Sequence, residues 1–318
     1  MNPTQLTYLV FGIVLLLAII FDLGLLSKKS AQLTTKQAFY QTIFWVILAL
    51  GFGGFVLYQD GKQPALEYLS AYLMEWSLSI DNIFVFVLIF SFFKVKERFI
   101  ARVLLIGILM AIVFRVIFIT IGVELVNRFH WLLYLFGIFL IYTGFKMFTT
   151  NQEEEFDPKD SSVFKFLKKF LPITMDDGDG KYRIRQHGKP VYTVLFVVII
   201  MLATTDIVFA LDSIPAVMGI SRNVMIIYTS NIFAVLGLRS LFFLLRGAVS
   251  KFDYLQQGIA IVLVFIGLKM LGEELISTVV DKPTQVIISL GVIVVCIGGS
   301  MIYSVYHKKK GIPPDMPK

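Results

Sequence analysis

Stretches of about twenty predominantly apolar residues recur along the whole chain, and that recurrence limits its possible folds more than any other feature. As a helix, each stretch is long enough to cross a hydrocarbon core of roughly 30 Å. Nine are read, at about 6–26, 38–58, 66–93, 100–122, 131–149, 191–219, 223–245, 255–272 and 284–306. Composition agrees: 57% of the 318 residues are hydrophobic and 16% are charged, against about a quarter charged in a soluble domain. The expected fold is all-α, a polytopic membrane protein of about nine transmembrane helices. The first stretch follows no basic residue and precedes no small-residue cleavage site, so it is read as a span rather than a cleaved signal.

The net charge of +7 is explained by its placement. Of the 29 Lys and Arg, 21 lie in or beside alternate connectors and the C-terminal tail, and only Lys62, Arg128, Arg222 and Lys282 lie on the other side. Basic connectors stay cytoplasmic, which predicts an outside N-terminus and a cytoplasmic HKKK tail. No basic–aromatic pattern points to nucleic acid. The single Cys296 excludes an internal disulfide.

The four remaining basic residues fall within spans and form two matched pairs. GILMAIVFRVIFI in span 4 aligns Arg115 with Arg239 in NIFAVLGLRSLFF of span 7, and GFKM (144–147) aligns Lys146 with Lys269 in GLKM (267–270). Span 3 carries EWSLSIDN (75–82) and span 6 carries DIVFALDS (206–213), pairing Glu75 with Asp206 and Asp81 with Asp212. Spans 3–5 therefore read as a repeat of spans 6–8. Because the unit has three spans, its second copy enters the membrane from the opposite side, an inverted repeat whose sites are expected near the midplane. The resulting division is two N-terminal helices (1–60), a first repeat (61–149), a cytoplasmic connector (150–190), a second repeat (191–272), and a last helix with its tail (273–318).

A charge at a helix centre costs about 2.5–3.5 kcal/mol on insertion scales, so four intramembrane acids need partners or a wet cavity. One reading is internal pairing alone, with Arg115, Arg239, Lys146 and Lys269 as structural counter-charges. The lysines lie near span ends, from which they can snorkel. The other reading is a cation site built from Glu75, Asp81, Asn82, Asp206, Asp212, Ser213 and Asn231. Glu75, Ser79 and Asn82 share one helical face, as do Asp206 and Ser213, whereas each second acid is rotated by about 120°. Pro215, just after Asp212-Ser213, predicts a break in span 6 that would free carbonyl ligands. Oxygen ligands without imidazole or thiolate suit Mn²⁺, Mg²⁺ or Ca²⁺.

EWSLSIDN, TDIVFALDSIPAV (205–217) and SNIFAVLGLRSLFFLL (230–245) resemble the signature segments of the TerC family, and the nine-span layout is similar to its Alx-like members. The resemblance runs from about Asp22 to Tyr306. It implies a bacterial inner-membrane protein of metal homeostasis that exports manganese, with Glu75, Asp81, Asp206 and Asp212 as functional residues. Export by a secondary transporter, with protons as a possible coupling ion, is the expected function; Mn²⁺ is cargo, and no permanent cofactor is expected. The alternatives are a non-transporting protein assisting membrane-protein assembly or metalation, or a tellurium-resistance factor. No phosphate-binding glycine loop is present, so an ATP-driven pump or other enzyme is not expected.

Three further features are read as secondary. Asp22 is assigned to helix packing or the interface. The connector contains a solvated acidic turn, MDDGDG (175–180), and a short amphipathic segment, FKFLKKFL (164–171), suited to an anionic leaflet. Glu124, Glu273 and Glu274 fall at outer span ends.

Overall fold

The apolar segments read from the sequence are helical over most of their length, although the one at 191–219 begins in a strand and the one at 223–245 is divided between two helices. The computed structural model describes residues 3–27, 34–149, 162–186, 188–246 and 254–309. The side chains of Asp22, Asp81 and Asp212 lie outside the described set, although all three positions are helical. In chain order the elements are α1 (Pro3–Ser27), α2 (Thr35–Gln59), α3 (Lys62–Phe92), α4 (Glu97–Arg128), α5 (Leu132–Thr149), α6 (Ser162–Phe170), β1 (Arg183–Gln186) and β2 (Lys189–Tyr192). There follow α7 (Val194–Met218), α8 (Val224–Leu236), α9 (Leu238–Leu245), α10 (Leu255–Leu271), α11 (Glu273–Val279) and α12 (Lys282–Lys309). Among the described residues five helices are long and apolar enough to cross a membrane, and the bent pair α8–α9 makes a sixth. Shorter apolar helices lie within α1, α5 and α10. The chain is an all-α polytopic membrane protein.

The distribution of side chains fits a lipid solvent. Leu16, Ile47, Ile138, Val295 and Ile302 are exposed on the outside, while Glu75, Arg115 and Asp206 are buried. In water this arrangement would leave a large apolar surface exposed; in lipid it costs nothing, and the charged groups are kept from the hydrocarbon.

The bundle is held by a small set of pairings. α3 packs along α8, α4 along α7, and α5 along α10. The α5–α10 contact is close because glycines allow the backbones to meet. A Cβ on Gly267 would lie 2.6 Å from the Gly137 carbonyl oxygen, and one on Gly144 would lie 2.8 Å from that of Ala260. α2 is fixed to α3 by Tyr68, whose buried hydroxyl donates to the Ala49 carbonyl at 3.0 Å. At its start Thr34 and Gln37 cap each other's backbone N–H groups, at 3.3 Å and 3.1 Å.

The break expected at Pro215 is absent. α7 continues through Asp212 and Pro215 to Met218. Pro215 falls in the last turn and has no N–H to give the Leu211 carbonyl, so α7 spans it with one backbone hydrogen bond missing. The interruption is in span 7 instead, where α8 and α9 meet at Gly237 with a bend of 41°. The Gly237 carbonyl accepts from Ser240 Oγ at 2.9 Å, and Thr42 Oγ1 of α2 lies 3.1 Å from that hydroxyl.

The connector also contains a β-hairpin that apolar periodicity did not predict. Gln186 pairs with Lys189 across a two-residue turn, and Gly188 takes φ +77°, a conformation glycine adopts without strain. The His-Gly pair between short alternating segments is its sequence signal.

Candidate functional site

The repeated acids meet at the centre of the bundle. Glu75 comes from α3, Asp206 from α7, Arg115 from α4 and Asn231 from α8, and all four are buried. Arg115 takes Asp206 in a two-point grip, Nε to Oδ2 at 2.8 Å and Nη2 to Oδ1 at 2.9 Å. Its Nη1 donates to Glu75 Oε1 and, at 3.0 Å, to Asn231 Oδ1. Asn231 in turn donates Nδ2 to the Ile227 carbonyl at 3.0 Å, which fixes its amide orientation. One guanidinium thus bridges carboxylates from both proposed repeats. Two carboxylates against one guanidinium leave the cluster one charge short of neutral.

Around it several polar atoms lack hydrogen-bond partners. Glu75 Oε2, Ser79 Oγ and Ser213 Oγ are buried without one. Asn82 is buried on the same face of α3, as the sequence spacing predicted. Such atoms are costly to bury unsatisfied, so water or a ligand is expected beside Glu75. The sequence reading placed Ser79 on this face without assigning it to the site.

The other sequence-derived candidates are placed as follows. Asp81 and Asp212 sit six residues beyond Glu75 and Asp206, or about 9 Å along their helices. The start of α3 and the end of α7 line the same cavity, so the two helices run in opposite directions and positions 81 and 212 fall toward opposite ends of the bundle. Arg239 is buried in the first turn of α9. Lys146 is exposed in the last turn of α5, consistent with snorkelling. Lys269 donates to Ser289 Oγ of α12 at 3.1 Å. Among the described residues no three of His, Cys, Asp and Glu come together as a metal-binding group.

A polar cavity of about 400 Å³ opens at the end of the bundle away from the hairpin, lined in part by Glu67, Ser221, Arg222, Lys269 and Glu273. Ser221 Oγ donates to Glu67 Oε2, and Arg222 pairs with Glu273. Glu274 accepts from Tyr134 at 2.8 Å. Glu67 escaped the sequence reading; its signal was an acid two turns before Glu75 in the same span.

At the other end the MDDGDG turn is a clasp rather than a free loop. Lys96 meets Asp177 at 2.5 Å, Arg98 meets Asp179 at 2.7 Å, and Arg102 lies over the Tyr182 ring. Lys96 beside Asp177 holds its carboxyl below the usual carboxylate range. FKFLKKFL forms α6, which buries Phe164 and Leu167 and exposes Phe166 and Phe170.

Sequence comparison agrees with this architecture. The profile of the Integral membrane protein TerC family matches residues 60–311, which include both acidic motifs. An uncharacterized membrane protein of Myxococcus xanthus is 41% identical over 91% of this chain and 88% of its own length. One from Rickettsia felis is 40% identical over 83% and 87%. The Escherichia coli K12 protein named Alx, described as a candidate membrane-bound redox modulator, is 38% identical over 82% and 84%. No solved structure matches the chain significantly. The chain belongs to the TerC family of integral membrane proteins.

Proposed function

We propose that this protein is a secondary transporter that exports a divalent metal cation, Mn²⁺ foremost, from the cytoplasm across the bacterial inner membrane. The observation that carries the reading is the buried Glu75–Arg115–Asp206 cluster, which joins acids from the two matched motifs; in inverted-repeat transporters the cargo site lies where the two repeats meet. Intramembrane ionisable groups are expensive and mark ion or proton pathways. Glu75 and Asp206 together carry two negative charges, which match a divalent cation whenever Arg115 withdraws. Asp81 and Asp212, one on each side along the path, would extend an all-oxygen route. Carboxylates release metal on protonation, so a proton gradient would drive the cycle.

The contacts of the bundle support the repeat. Aligning Glu75 with Asp206, Arg115 with Arg239, and Lys146 with Lys269 exchanges the α3–α8 and α4–α7 pairings. It also turns the Gly137–Gly267 contact into that of Ala260 with Gly144. The redox description given to Alx carries over to this chain only indirectly, since a single Cys296 cannot form an internal disulfide.

The test is purified protein in liposomes enclosing a Mn²⁺-quenched dye, with Ca²⁺, Mg²⁺ and Zn²⁺ tried in parallel under pH gradients of both signs. Dye quenching by external Mn²⁺, greatest among the four ions, is the expected result. No flux under any gradient would overturn the reading and favour the assembly role.

A further inference from the structure

Arg115 holds an acid pair that belongs equally to both halves of the molecule. Under the motif alignment Glu75 and Asp206 replace each other, so exchanging the halves leaves the pair in place and substitutes Arg239 for Arg115. We propose that the two arginines take turns as its counter-cation: Arg115 in the arrangement seen here, Arg239 in the one open to the opposite side, with the cargo ion held between the exchanges. The inference rests on the transport reading and assigns a positioning role to both arginines.

Three observations carry it. The α3–α8 and α4–α7 pairings exchange, and the α5–α10 pairing maps onto itself, when the halves are exchanged, so these core pairings survive a swap of the halves' conformations. The present arrangement is lopsided: Asn231 completes the cluster around Arg115, while the residue aligned with it on α4 is Gly107, which has no side-chain amide to offer. Finally, the 41° bend at Gly237 stands two residues before Arg239. Arg239 lies eight residues, about 12 Å, beyond Asn231 along α8–α9. A one-turn slide of about 5.4 Å between packed helices, of the kind known in switching proteins, together with a change in that bend, would bring its side chain toward the pair.

The exchange also answers an electrostatic need. Two carboxylates in a low-dielectric core cannot stand bare while the carrier returns without cargo. A tethered guanidinium covers them at each end of the cycle; in between, the divalent ion covers them on the outward leg and protons neutralise them on the return.

The test uses the full chain in nanodiscs with Cys296→Ser and a reporter thiol from Met218→Cys. Met218 is buried and lines the 400 Å³ cavity. The rate of labelling by a hydrophilic maleimide reports how far that end opens. Arg115→Ala depletes the present arrangement and Arg239→Ala the alternative, so their rates should move in opposite directions by about threefold or more. Asn231→Ala keeps every charge and should move with Arg115→Ala. It serves as the decisive arm should either arginine variant fail to fold. Shifts in the same direction for both arginines, or no shift with Asn231→Ala, would overturn the hand-over. Mn²⁺ flux through the reporter protein separates the two ideas: flux without opposite shifts keeps transport and removes the hand-over, and opposite shifts without flux keep the switch and remove the cargo.

Discussion

Replacing Arg115 by methionine removes the one cation that contacts both Glu75 and Asp206. The side chain is 1% exposed and its carboxylate partners 0% and 2%, so bulk water cannot solvate what is left behind. Arg115→Met conserves much of the volume while deleting the two-point grip on Asp206 and the bonds to Glu75 and Asn231. Breaking a buried ion pair costs about 3–5 kcal/mol, most of it from the stranded charge. At roughly 2–4 °C per kcal/mol for a large domain, the loss in thermal midpoint should be on the order of 10 °C. The assay is thermal unfolding in detergent followed by size-exclusion chromatography. In the triple variant Arg115→Met, Glu75→Gln, Asp206→Asn no charge remains to be stranded. That variant should recover at least half of the lost stability, a strong departure from additivity. A single variant as stable as wild type, or a triple variant less stable than the single, would refute the account of the cluster.

Two further outcomes concern the ends and the seam of the bundle. Gly267→Ala places a methyl 2.6 Å from the Gly137 carbonyl oxygen, so it should destabilise by about 1–3 kcal/mol through overpacking, read in the same thermal assay; Gly291→Ala, which meets nothing within 4 Å, is the control. At the hairpin, the Asp177 carboxyl is held below its ordinary value by Lys96, so its contribution is present above the unfolded pKa and lost as pH falls through the lower folded value. Amide exchange over residues 176–186 should therefore hold steady from pH 7 to about 4, once the intrinsic pH dependence is removed, and loosen below. Asp177→Asn should abolish that step.

Much of this architecture was legible because two periodicities survive in the sequence. Apolar runs mark the helices, and the acid-x5-Asp spacing marks the two matched motifs. The matched positions Glu75 and Asp206 are the ones that share Arg115. What could not be read was which counter-charge each acid chooses, since that depends on side-chain reach across four helices. Arg115 reaches both acids, whereas Asn231, read as a metal ligand, here accepts from the guanidinium. Pro215 misled because a helix can run through a proline at the cost of one hydrogen bond, here the one to the Leu211 carbonyl, and α7 does so, continuing to Met218. Gly237, in a helix with several other small residues nearby, gave no comparable warning of the bend. The hairpin was missed because its strands are four residues each, too short for an alternation to stand out.

The central claim is that a divalent cation crosses this protein through its intramembrane acids. Mn²⁺ flux into dye-loaded liposomes should therefore be compared for wild type and for Asp81→Asn and Asp212→Asn, each verified as folded by chromatography. These acids flank the central cluster, so their neutralisation should reduce flux at least about tenfold, the equivalent of 1.4 kcal/mol in binding or barrier, with little loss of thermal stability. Flux unchanged in both folded variants would contradict the account.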